Sequence, residues 1–127
     1  MTYADTGSEN NVRQYVWQSS GTNYIQARVR THGTRTGQPL FVQRQPTSGY
    51  DDVTGGDSIY SPDTNVTFNI ASRHGSTFIN GAHEGTLLTA NTTPTILPAL
   101  SSTDLNLGNF FMGTIGEFRM WSDDLGD

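Results

Sequence analysis

The chain has 127 residues, 33% of them hydrophobic, no cysteine, and a formal net charge of -5. That length suits a single core, and the missing cysteines exclude disulfides and thiolate-held metal as sources of stability. No apolar run approaches the roughly 18 residues of a membrane-spanning helix, and the opening MTYADTGSEN has neither the basic nor the apolar region of a signal peptide, so neither is expected.

Charge is divided unevenly along the chain. Every positive side chain is arginine, and Arg13, Arg28, Arg30, Arg35 and Arg44 all fall between residues 10 and 50, where there is no acid. Residues 51 to 127 hold ten acids against Arg73 and Arg119. The early arginines are spaced along expected strands rather than clustered, and the molecule as a whole would be repelled by phosphate. Nucleic acid is therefore not expected as a partner.

The residues 11 to 18, NVRQYVWQ, and 24 to 30, YIQARVR, both alternate, with Ile25, Ala27 and Val29 on one face and Tyr24, Gln26, Arg28 and Arg30 on the other. With SSGTN between them, the pattern predicts a hairpin. PLFVQRQ (39 to 45) predicts a third strand. The stretch 46 to 65 is so rich in Gly, Pro and Asp that it reads as a loop around a short strand at most. In VTFNIASR (66 to 73), Val66, Phe68 and Ile70 share one face and Thr67, Asn69 and Ala71 the other. The Asn80-Gly81 pair suits a tight turn, because both residues tolerate positive φ. Leu105 and Leu107 mark a short strand before Gly108. Eight or nine short strands and no helix predict an all-β, antiparallel two-sheet sandwich or barrel.

The closing FFMGTIGEFRMWSDDLGD (110 to 127) breaks alternation, since Ile115 and Phe118 are an odd step apart. A β-bulge at Gly116-Glu117 would put Ile115, Phe118 and Met120 together on the core face of a last strand. This block resembles the closing strand of the concanavalin A-like jelly-roll superfamily, in its laminin G-like and pentraxin-like branches. FINGAHEG (78 to 85) is similar to that superfamily's apolar-x-Asn-Gly hairpin, and PALSSTDLNLG (98 to 108) to its Pro, link, apolar-x-apolar-Gly block. The resemblance covers roughly residues 66 to 125. It implies one jelly-roll domain over residues 1 to 127, with 1 to 10 as a flexible or partner-bound arm, and a setting among bacteriophage structural and tail-appendage proteins.

Three classes of function follow. Glycoside hydrolases of this architecture need two carboxylates at even spacing on one strand. Glu84, Asp104 and Glu117 instead lie on separate strands and the pairs Asp51-Asp52 and Asp123-Asp124 in turns, so no enzyme and no catalytic residue is expected. The three histidines, His32, His74 and His83, read as solvated turn residues. Asp51, Asp52, Asp57 and Asp63 could together hold calcium, but they lack the 1-3-5 spacing of a calcium loop, and a solvated acidic loop is the preferred reading; no cofactor is expected.

Binding or docking through the first hairpin is the remaining class. Arg13, Tyr15, Trp17, Tyr24, Arg28 and Arg30 form its candidate ligand or interface set, because aromatic rings pack on sugars and arginine and aromatics are enriched at interfaces. Equally, Tyr15 and Trp17 could be core residues with Val12 and Val16 outward, since both faces of that strand carry apolar groups. The reading favoured is a non-catalytic bacteriophage module on the virion surface, a head decoration or a tail fibre or spike component. Its expected partners are other virion proteins or copies of itself, with host-surface glycan adhesion as an activity and no membrane insertion. The alternative is a free lectin-like carbohydrate-binding module of a bacterial or secreted protein.

Overall fold

The computed structural model describes residues 12–30, 33–47, 49–57, 59–60, 67–94, 97–100, 102–109 and 114–122, and only the backbone at 12–14. Within them the chain is all-β. Two antiparallel sheets face each other, formed by eight strands: β1 (Val12–Ser20), β2 (Asn23–Val29), β3 (Pro39–Gln45), β4 (Gly49–Thr54), β5 (Ile70–Arg73), β6 (Asn80–His83), β7 (Thr86–Leu87) and β8 (Leu105–Leu107). The larger sheet runs β4-β3-β2-β1-β8 and the smaller β5-β6-β7. A single 3-10 turn, Gly33–Arg35, is the only helical element among the described residues.

The first hairpin forms as expected, turning at Gly21-Thr22. Register shifts between Arg13 and Tyr15, and again between Gln18 and Ser20, explain why β1 looks two-faced in sequence. Val12 lies opposite Val29 in register, and after the first shift Tyr15 lies opposite Ala27 and Trp17 opposite Ile25. Val16 takes the other face, opposite Gln26.

Between the sheets, Tyr15, Ala27 and Phe41 form a buried cluster against which Ile70, Leu88, Leu105 and Phe118 pack. Gly81 of β6 lies directly on the Phe41 ring. Gln43, fully buried, reaches across to donate from Nε2 to the Gly75 carbonyl at 2.8 Å. The alternation read in residues 67 to 71 holds, with Phe68 and Ile70 half-buried and Thr67, Asn69 and Ala71 exposed; Val66 lies outside the described residues. Phe68 stacks on Tyr60 at 4.4 Å between ring centroids. On β3, Pro39 to Gln43 are buried without a break, so this strand is covered on both faces.

Two expectations are overturned. Asn80 and Gly81 do not make a turn; they lie within β6, and the positive φ expected of Gly81 is absent. The hairpin turns instead at Glu84 (φ 47°) and Gly85 (φ 75°), two left-handed residues between the paired His83 and Thr86, as a type I′ turn requires. Gly85→Val should therefore cost about 1 to 2 kcal/mol, because a β-branched residue tolerates that conformation poorly. Chemical denaturation would measure it, and an unchanged midpoint would contradict the turn assignment.

The closing strand with its bulge at Gly116-Glu117 is also absent from residues 114–122, which join neither sheet. Phe118 is half-buried and meets the Tyr15 ring edge-on at 6.0 Å, while Glu117 and Arg119 pair with each other on the solvent side at 2.5 Å. Met120 and Trp121 are 48% and 56% exposed rather than in the core. The edge of β1 away from β2 is taken by β8.

Candidate interaction face

Strand alternation sorts the larger sheet into two faces. The face toward the smaller sheet carries Tyr15, Ala27, Phe41 and Val53, which sit in register across β1 to β4. The opposite face carries three rows: Tyr24, Arg44 and Tyr50; Gln26, Val42 and Asp52; and Arg28, Leu40 and Thr54. Arg30 follows just beyond β2 and is held by backbone bonds, its amide donating to the Gln38 carbonyl at 2.9 Å and its carbonyl accepting from Gly37 at 2.8 Å.

The middle of this outer face is covered within the chain itself. Val16, Gln26, Leu40 and Val42 are all buried, and Arg30 retains only 9% of its surface. Toward β4 the face opens: Tyr24, Arg28, Arg44 and Asp52 are half-buried and Tyr50 is exposed. Arg28 Nη2 donates to the Tyr50 hydroxyl at a long 3.4 Å. Partial burial raises the Tyr50 pKa above its ordinary value; Arg28 acts against that shift, while Asp52 and Tyr24 add to it. Tyr50 thus stays a neutral phenol that both donates and accepts hydrogen bonds.

The hairpin residues singled out in the sequence divide between these faces. Tyr24, Arg28 and Arg30 stand on the outer face. Arg13 is opposite Arg28 in register, its side chain outside the described residues. Tyr15 lies in the core, and Trp17, on the same side of β1, donates from Nε1 to the Thr103 carbonyl at 2.9 Å. Arg44 and Tyr50, absent from the sequence-based set, and Asp52, considered there for calcium, join this face through β3 and β4; the period of 39 to 45 already sets Arg44 opposite in sense to Phe41 and Gln43.

Of the four acids considered for calcium, the three that are described do not converge. Asp51 and Asp52 are consecutive strand residues of β4, not turn residues, so they point to opposite faces, opposite Gln43 and Val42 respectively. Asp57 accepts from Gln38 Nε2 at 2.7 Å, and Asp63 lies outside the described residues. Among the described residues no three His, Asp or Glu side chains are placed to share a metal ion. Glu84 accepts from the backbone amide of Asn69, just before β5, and Glu117 is engaged by Arg119.

His74 is not the solvated turn residue its Gly75 neighbour suggested. Its Nε2 lies 2.9 Å from the Tyr15 hydroxyl, which also meets Ser72 Oγ, so β1 is tied to the end of β5 through a partly buried polar trio. Burial pushes the Tyr15 phenol well up and the His74 imidazole down to about 4. His83 packs edge-on to Tyr60 at 6.2 Å, and His32 lies outside the described residues. Phe118 packs edge-on against the Tyr15 ring of the trio.

In comparison with known proteins, no family model, no curated sequence and no solved structure matches this chain.

Proposed function

We propose that the chain is a non-catalytic β-sandwich module on the surface of a bacteriophage particle, a head decoration or tail fibre component that engages its partner through the open part of the outer sheet face. The observation that carries this reading is the gathering of Tyr24, Arg28, Arg44 and Tyr50 around one partly open patch. Phenol rings and guanidinium groups are the side chains that supply most energy per residue at docking surfaces and also suit sugar rings.

The phage setting and the finer fold, a concanavalin A-like jelly roll, rest on the resemblance in sequence. Of its three blocks, residues 98 to 108 gain support, since Leu105 and Leu107 form β8 and Gly108 ends it with φ 73°. The Asn-Gly block and the closing block take other structure and lend none.

Two measurements test the function. Light scattering would give the mass of the domain and of Arg28→Glu, and a glycan array would probe the isolated domain and Tyr50→Ala. An assembly that dissociates on Arg28→Glu supports docking. A monomer that binds glycan and loses it on Tyr50→Ala supports instead the free lectin. A monomer without any glycan bound removes both.

A further inference from the structure

We infer that the open end of the outer face is an anion site, fitted to an acidic saccharide that bears carboxylate or sulfate groups. This deepens the adhesive reading above and rests on the same patch. Arg28, Arg30 and Arg44 bring three permanent positive charges to this face, and Asp52 is the one carboxylate on its β2 to β4 rows among the described residues. Guanidinium does not shed its proton in proteins, so the excess charge is fixed.

Two of these groups are held in a state that an anion would relieve. Arg30 is nearly fully buried, and the Nε atoms of both Arg30 and Arg44 are covered without a hydrogen-bond partner. Each group has lost hydration at that atom without gaining an acceptor there, which is unfavourable for a charge unless an opposite charge lies near. Arg44 is only half-buried, so a ligand oxygen has an approach to its open side, and guanidinium matches the geometry of carboxylate and sulfate.

The flanking groups favour a sugar. Tyr24 and Tyr50 lie on either side of Arg44 in register, and Tyr50 is 41% exposed, leaving a ring and a neutral hydroxyl for the apolar face and hydroxyls of a pyranose. A nucleic acid strand carries the same sign of charge but no pyranose ring, so it serves as the control for binding by charge alone.

The test is titration calorimetry of the purified chain with polygalacturonate, dextran sulfate, neutral dextran and a single-stranded oligonucleotide. At least one of the first two should bind and the last two should not. Arg44→Gln should weaken binding about tenfold or more, the loss of one charged hydrogen-bonded contact, with an unchanged melting temperature. Arg119→Gln, which removes an exposed arginine already paired with Glu117, should bind as the parent does. Equal binding by Arg44→Gln, an equal loss in Arg119→Gln, or an oligonucleotide bound as tightly as the saccharides would overturn the site. Binding of neutral glycans on the array without either polyanion would overturn the anion assignment and leave the adhesive reading standing.

Discussion

Gly81→Val should destabilise the domain by on the order of 3 kcal/mol, although Gly81 has an ordinary strand conformation and no turn to make. A Cβ at this position would lie 2.1 Å from a Phe41 ring carbon, far inside contact distance. Phe41 is itself buried at the centre of the larger sheet, between Ala27 and Val53 in register, and has no open space to retreat into. Overpacking of a dense core by one or two methyl groups costs about 1 to 3 kcal/mol, and here the clash is with a buried, rigid ring. Coupling distinguishes this cause from a backbone effect. Phe41→Leu alone should be destabilising, but Gly81→Val combined with it should cost less than the two single losses added, since the smaller side chain vacates the clash. Strictly additive losses in urea denaturation would show that Gly81 is needed for some other reason.

Acid should weaken the domain through His74 before it does so through most carboxylates. The folded state holds the imidazole at about 4, against 6.5 for a free ring, because burial disfavours the charged form. As pH falls through 6.5 the unfolded chain takes up a proton that the folded chain refuses. The contribution is therefore fully present above about 6.5, is lost progressively toward 4, and changes no further below that. Geometry agrees with the direction: Nε2 is engaged by Tyr15, while Nδ1 is buried with no partner, so the second proton of an imidazolium would be left without an acceptor. Between pH 7.5 and 4.5 the wild type should lose about 2 kcal/mol more than His74→Gln, a figure reduced from the full shift because the residue is only partly covered. Denaturation of both proteins at the two pH values measures this. Parallel losses would mean that the ring is charged and solvated in the folded state.

Much of the larger sheet was legible locally. The period of YIQARVR and the turn residues flanking PLFVQRQ mark both strands, and β2 and β3 match those stretches closely. The half-buried strand around Ile70 was readable for the same reason. Side-chain period is a property of the extended backbone, so it needs no knowledge of what lies above or below.

What the sequence left open depended on contacts between segments far apart. Asn80-Gly81 and Glu84-Gly85 are both competent turns. The second is used, while Gly81 is spent on the approach to Phe41, forty residues earlier in the chain. Tyr15 comes opposite Ala27 only because β1 is shifted against β2 after Arg13. Asp51 and Asp52 looked like turn residues until β4 paired with β3 and sent them to opposite sides. The tail from Ile115 to Trp121 carries a strand's composition yet forms no ladder, and its Phe118 packs against the core cluster. The candidate site shows the same division: alternation put Tyr24, Arg28 and Arg30 on one face of β2, but only pairing with β3 and β4 brought Arg44, Tyr50 and Asp52 beside them. Composition and period determine which residues form strands; register and sheet packing, which are sums over distant pairs, decide which of them meet.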